Sequence, residues 1–324
     1  MYRVFVTRKI PDEGIKILER ECRIEMFPEE RIPEKHEIIE GAKDKEGILC
    51  LLTDTIDKDV IDACPDLRVI STYSAGVNHI DVAYATKKGI IVTNAPSALT
   101  DATADLAFAL LMAVARRIPE GDRFVRARKF KGWAPTLMLG AEIYGKTLGI
   151  IGAGKIGTAV ARRARGFSMR ILYTSRKANP EMEAIGGVKV SIEELLQEAD
   201  FVSLHVPLTP ETYHLIDEHR LRLMKNTAFL INTARGQCVD EKALVKCLKE
   251  GVIAGAALDV FEFEPQITEE LYKMENVVLT PHIGSATETT RKNMAIMAAT
   301  QLLMGLGGKK PEHIVNPEVL TGRR

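Results

Sequence analysis

Three glycines, in the run Gly152-Ala153-Gly154-Lys155-Ile156-Gly157, stand between an apolar stretch at 148–151 and a segment of helical period at 158–167. A strand, a tight glycine turn and a helix in that order make the unit that opens a dinucleotide-binding parallel sheet. Gly152 permits the tight turn, Gly154 lets the backbone approach a pyrophosphate, and Gly157 lets helix pack on strand. The pyrophosphate then rests at the helix N-terminus, over Lys155 and Ile156, where free N–H groups and the helix dipole favour an anion. A glycine-rich turn of an ordinary α/β domain lacks these flanks.

The rest of the chain follows the same pattern. Apolar β-rich runs at 4–7, 22–27, 47–52, 67–72 and 90–95 alternate with amphipathic segments such as 12–20 and 57–63. A second series runs at 147–152, 170–175, 201–206, 229–234, 254–260 and 276–281, and Ser191-Ile192-Glu193-Glu194 is a capping-box start inside it. Long Ala-rich helical stretches at 101–117 and 290–305 fall at the changes of texture. Alternating strands and helices predict α/β units with parallel sheets, and 324 residues suit two of them.

Composition removes several classes of function. Lys+Arg 44 equals Asp+Glu 44, so no global field holds a polyanion or a membrane surface. The basic stretch around Arg116, Arg117, Arg123, Arg126, Arg128, Lys129 and Lys131 comes without a nucleic-acid motif and reads as a solvated face. Five scattered cysteines, with neither CxxC pairs nor Cys/His clusters, predict reduced core thiols and no metal site. The N-terminus lacks the features of a secretory signal, and the longest apolar run, 106–115, is about half a bilayer span. A cytoplasmic protein is expected.

Cofactor choice is read at the end of the strand after the glycine loop, where an NAD site carries an acidic residue for the ribose 2′-OH. Here the chain reads Tyr173-Thr174-Ser175-Arg176-Lys177, with no carboxylate. A hydroxyl and two cations suit a 2′-phosphate, so NADP(H) is expected over NAD(H), with a solvated basic turn as the plain alternative. Three further strand ends carry isolated ionisable residues: Arg235 after Asn232-Thr233-Ala234, Asp259, Glu262 and Glu264 in LDVFEFEP, and His282 in TPHIG. An arginine, carboxylates and a histidine at C-terminal strand ends fit acid–base chemistry on an anionic substrate. From spacing alone they also fit surface ion pairs.

LGIIGAGKIG, INTARGQCVDEKAL, AGAALDVFEFEP and LTPHIGSAT together resemble the D-2-hydroxyacid dehydrogenase family, most of all its glyoxylate/hydroxypyruvate reductase branch. The likeness extends through TDATADLAFALLMAVAR and HVPLTPETYHLI over nearly the whole chain. It implies NAD(P)H-dependent reduction of glyoxylate and hydroxypyruvate to glycolate and D-glycerate. Arg235 would hold the substrate carboxylate and carbonyl, His282 would protonate the carbonyl oxygen, and Glu264 would hydrogen-bond His282, stabilising the imidazolium and keeping the donor loaded. Asp259 would orient the nicotinamide carboxamide. Backbone N–H groups of Ala75, Gly76 and Val77 would take the substrate carboxylate as a small anion nest, with Leu52 beside it. Val206, Pro207 and Thr212 would wall the adenosine side, and Thr103 and Thr233 would touch the cofactor. His205 either joins that wall or caps a strand.

The resemblance also implies two doubly wound parallel-sheet domains. A Rossmann coenzyme domain, 99–285, would be inserted by two long helices into a flavodoxin-like substrate domain made of 1–98 and 286–324, and closure would exclude water. The chain departs from the family at Asn78, where Asp is usual, and at 95–101, where the family's TPDVLTD pattern reads Ala95-Pro96-Ser97-Ala98-Leu99-Thr100-Asp101. Phosphoglycerate dehydrogenases place cations where this chain has Leu51 and Thr55, so a small uncharged substrate tail is favoured over that branch. A dinucleotide-sensing corepressor keeps the same trio, but this compact chain shows no long partner-binding tail. Trp133, the only tryptophan, resembles the residue that reductases insert into the neighbouring subunit's site, or is an ordinary interface or core aromatic. A homodimer is expected, with neither nucleic acid nor membrane as partner.

Overall fold

Runs of Val, Ile and Leu apolar on both faces require a sheet that helices cover on both sides. The computed structural model describes residues 1–321, so 322–324, the end of the stretch expected to close the substrate domain, lie outside the described residues. The chain divides into two units, one formed by Met1–Leu99 with the chain from Ser285, the other by Thr100–Gly284.

In the first unit β1 (Tyr2–Val6), β2 (Cys22–Met26), β3 (Gly47–Cys50), β4 (Val69–Thr72) and β5 (Ile91–Thr93) form one parallel sheet in the order 2-1-3-4-5. That is the flavodoxin-like order. Every residue of β3, β4 and β5 is buried, as continuous apolar runs require. The late helix Glu288–Leu306 packs on β3, β4 and β5 and on the helix Asp12–Leu18, where a Cβ at Gly14 would fall 2.8 Å from the Ala295 carbonyl oxygen. Ser71 Oγ donates to the Ala298 carbonyl at 2.8 Å, and Asn316 spans Val92 N–H and Ile90 C=O at 2.8 and 2.9 Å. These bonds fasten the returning end of the chain to the sheet.

In the second unit β6 (Thr147–Ile151), β7 (Arg170–Thr174), β8 (Gly187–Lys189), β9 (Phe201–Leu204), β10 (Phe229–Asn232), β11 (Gly255–Leu258) and β12 (Val277–Leu279) form a seven-stranded parallel sheet in the order 12-11-10-9-6-7-8. Strand order reverses between β6 and β9, the place where doubly wound sheets take ligands. The pattern of six runs misses β8. It is three residues long at the sheet edge, with only Gly187 buried, so hydrophobicity does not mark it. The helices Thr100–Ala115 and Lys155–Arg165 pack together through small residues, Ala104 and Ala107 on one and Ala159, Ala161 and Ala164 on the other, all 3% exposed or less. Among the described residues no helix is long and apolar enough to cross a membrane.

Candidate active site

The glycine loop between β6 and the helix Lys155–Arg165 has the geometry its spacing demands. Gly152 takes φ +103°, and a Cβ there would lie 2.6 Å from the His205 carbonyl carbon. A Cβ at Gly157 would lie 2.2 Å from the Gly152 carbonyl oxygen, so helix and turn meet backbone to backbone. At Gly154, the N-cap of the helix, a Cβ would meet nothing within 4 Å. The open side at the helix N-terminus is the space a pyrophosphate needs. Asn179 braces the loop, donating to the Ala153 carbonyl at 2.7 Å and to Thr158 Oγ1 at 3.1 Å.

The C-terminal ends of β10, β11 and β12 carry the ionisable residues. Asn232 closes β10 and folds the next turn around itself, donating to the Arg235 carbonyl at 2.9 Å and accepting from the Ala234 amide at 3.0 Å. Beyond β11, Asp259 is 1% exposed and accepts from Thr280 Oγ1 at 2.7 Å and from the Ile283 and Gly284 amides at 2.8 Å each. Beyond β12, His282 takes φ 53°, a left-handed conformation costing about 1–2 kcal/mol in a residue with a side chain. The Asp259 carboxylate holds that turn from the two residues after it. His282 Nδ1 lies 3.0 Å from Glu264 Oε2, and Glu264 Oε1 accepts from the Phe261 amide at 2.9 Å. The structure thus brings His282 and Glu264 into one hydrogen bond, and gives Asp259 a fastening task that the sequence did not suggest.

Charge is balanced within this cluster. Burial works against the Arg235 guanidinium and lowers its pKa, and the Glu264 carboxylate offsets part of that. Burial pushes the Glu264 carboxyl up, but the hydrogen bond and charge of His282, the Phe261 amide and Arg235 outweigh it and hold the group below the usual range. Burial raises Asp259 against the three donors and the His282 charge. His205, hydrogen-bonded to Ser203 Oγ at 2.9 Å, is lowered to about 3 by burial and stays neutral.

The other expected cofactor residues lie around the same ends. Thr233 Oγ1 is buried without a hydrogen-bond partner among the described residues, and Thr103, 5% exposed, has its Oγ1 3.5 Å from where a Cβ at Gly284 would fall. Thr212 Oγ1 donates to the Pro207 carbonyl at 2.7 Å and shapes the loop that also holds Val206. Ser175 Oγ donates to the Lys177 carbonyl at 2.6 Å, which curls the turn after β7 and leaves Arg176 and Lys177 exposed. In the first unit, Ser74 Oγ donates to the Gly76 carbonyl and Asn94 Nδ2 to the Ala75 carbonyl, each at 2.6 Å. Among the described residues no acceptor meets the amides of Ala75, Gly76 or Val77. Leu52 is half-buried after β3. The bracing of Ala75 by Asn94, and a cluster of His214, Glu241 and Glu262, escaped sequence reasoning, since each pairs residues 19 to 48 apart in the chain.

The family model described as "D-isomer specific 2-hydroxyacid dehydrogenase, NAD binding domain" matches residues 108–284. The chain is 52% identical, over 98% of each sequence, to a glyoxylate reductase of Thermococcus litoralis. The chain belongs to the D-2-hydroxyacid dehydrogenase family. A crystal structure of a Thermus thermophilus protein superposes with a TM-score of 0.91 at 46% identity, covering 97% of this chain and 99% of that one. The NADPH-dependent glyoxylate/hydroxypyruvate reductase of Sinorhizobium meliloti, solved with NADP and malonate, gives a TM-score of 0.89 at 30% identity over 100% of this chain and 98% of that one. As a D-2-hydroxyacid dehydrogenase this chain is an oxidoreductase that uses a nicotinamide dinucleotide, and its two parallel sheets are those of the family.

Proposed function

We propose that this dehydrogenase reduces glyoxylate and hydroxypyruvate, with NADPH preferred to NADH. The observation that carries the reading is the Glu264–His282 hydrogen bond of 3.0 Å, at strand ends shared with the half-buried Arg235. The glyoxylate reductase names of relatives near 50% identity favour the first acceptor, and the name of the Sinorhizobium meliloti reductase carries both.

Gly152, Gly154 and Gly157 would hold a reduced nicotinamide dinucleotide, which when bound would supply the hydride for the carbonyl carbon. His282, its Nδ1 turned to Glu264, presents Nε2 to the carbonyl oxygen and delivers the proton that completes the alcohol. Arg235 pairs with the substrate's carboxylate and carbonyl oxygens and stabilises the charge that grows on oxygen. Asp259 holds the His282 turn and would orient the nicotinamide amide with its one remaining lone pair. The amides of Ala75, Gly76 and Val77, which meet no acceptor among the described residues, take the carboxylate in the same nest-like way as other small-anion sites.

NADPH preference is supported by the absence of a carboxylate after β7 and by the exposed Arg176 and Lys177. Oxidation of NADPH and NADH is compared with glyoxylate, hydroxypyruvate, pyruvate and 3-phosphohydroxypyruvate as acceptors. The first two should turn over fastest with NADPH, and Arg176→Ala should cut the NADPH-to-NADH ratio of kcat/KM about tenfold, the worth of one charged hydrogen bond. A ratio at or below one in the parent enzyme refutes the cofactor assignment. Preference for the phosphorylated acceptor transfers the chain to the phosphoglycerate branch.

A homodimer is the second part of the proposal. Ile118, Val125, Phe130, Trp133, Leu139 and Tyr144 are each more than half exposed, with Trp133 at 83%. One short segment bearing this much apolar surface suits a second copy of the chain. A cavity of about 430 Å³, lined in part by Val114, Leu139, Phe229 and Val277, adjoins it at the N-terminal ends of β10 and β12. Light scattering should give twice the 35.8 kDa chain mass, and Trp133→Arg should shift it toward one. Five buried free cysteines support a reducing, cytoplasmic setting.

A further inference from the structure

Two histidines in left-handed backbone conformations, His214 (φ 48°) and His282 (φ 53°), each hydrogen-bond a carboxylate of one short loop. His282 meets Glu264, and His214 Nε2 lies 2.7 Å from Oε1 of Glu262, two residues earlier. Glu262 is 6% exposed and every polar group it has is engaged. Its Oε2 accepts from the Glu241 amide at 3.0 Å, its amide donates to Glu241 Oε2 at 3.0 Å, and its carbonyl accepts from Gln237 Nε2 at 2.9 Å. Glu241 Oε1 accepts from the Thr268 amide at 2.9 Å, closing the far side of the loop. Gly236, next to Arg235, lies so near that a Cβ would fall 1.9 Å from the Phe261 carbonyl carbon. Residue 262 is therefore a fixed post, whereas among the described residues the Glu264 carboxylate has hydrogen bonds only from the Phe261 amide and His282.

We propose that the His214–Glu262 hydrogen bond is the brace that sets Glu264 against His282, and that it ties the loop after β9 to the proton-transfer pair. His214 is a positioning residue, and its role rests on the reading of Glu264 and His282 as that pair. Without His214, a buried carboxylate oxygen loses its partner, which costs its desolvation unless the loop shifts toward water. Such a shift moves Glu264, and a misplacement of about 1 Å can cost on the order of a hundredfold in rate. His214 faces Glu262, Asp240 at 3.9 Å and the ring of Tyr213 at 4.2 Å, while Glu264 and His282 face Arg235 and Asp259.

The test compares His214→Phe with His214→Gln. Both keep a Cβ at the left-handed position, so backbone strain is common to them, and only glutamine offers a donor near Nε2. His214→Phe should lower kcat for glyoxylate reduction about tenfold to a hundredfold. The alkaline limb of its pH profile should move to lower pH, toward that of Glu264→Gln. His214→Gln should restore most of both, and adding His214→Phe to Glu264→Gln should move the limb no further. Glu262→Gln, whose single amide oxygen cannot accept from both His214 and the Glu241 amide, should move the limb the same way if the phenylalanine variant fails to fold, and Tm and NADPH affinity report folding throughout. A fall in kcat with the limb unmoved, equal behaviour of the two His214 variants, or an additive shift in the double variant overturns the brace. A His282→Gln enzyme with parental turnover is distinguishable from these and overturns the underlying reading as well.

Discussion

Exchange of His282 for glutamine is expected to lower kcat for glyoxylate reduction by about 10²- to 10⁴-fold, the range of positioned proton transfer. Glutamine fills the same space but has no proton acidic enough to give. NADPH affinity should stay near the parental value, because the glycine loop and the turn after β7 are untouched. Glu264→Gln, which removes the anion bonded to His282 Nδ1, should lower kcat as well. The Glu264 carboxyl itself is held below its usual range, so it is an anion throughout the neutral region. Its contribution to stability is fully present above the ordinary glutamate value of about 4.3 and is lost as pH falls through the folded value. Parental kcat in the glutamine enzyme, measured by NADPH oxidation, would remove His282 from the mechanism.

Arg235→Gln is expected to lower kcat/KM for glyoxylate by about 10²- to 10³-fold, the scale seen when a preorganised donor at a developing oxyanion is lost. The guanidinium is half-buried and bonds from Nη1 to the Ala234 carbonyl at 2.7 Å, leaving other donors of the fork for substrate. Partial burial strengthens those contacts because water screens them less there than at the surface. Glutamine keeps an N–H but loses the charge and the fork, so both KM and kcat should suffer. Added guanidinium ion should recover part of the turnover. A variant whose KM and kcat both match the parent would place the substrate carboxylate elsewhere.

Much of the architecture was legible because the sequence states it locally. Continuous apolar runs announced parallel strands, and Gly152, Gly154 and Gly157 announced the turn by their spacing between a strand and a helix. Arg235, Glu264 and His282 stood out as ionisable groups just past such runs. What escaped was long-range pairing. His214 and Glu262 are 48 residues apart, and Asp259 and the Gly284 amide 25 apart, and no periodicity connects either pair. The left-handed turns at His214 and His282 were equally hidden, since glycine or asparagine normally signals that conformation. Strand β8 was invisible for the opposite reason, as an edge strand needs too little apolar surface to be noticed.

The position of β12 at the sheet edge has one further consequence. An edge strand has a single neighbour, and such borders open locally at a lower free energy than the interior. The proton donor therefore hangs from the border most exposed to transient fraying. The Asp259 carboxylate, gripping Thr280, Ile283 and Gly284 from the adjoining strand, makes that fraying cooperative with the interior. The amides after His282 should then exchange with solvent as slowly as those of β11, so the enzyme loses its acid only when it loses its sheet.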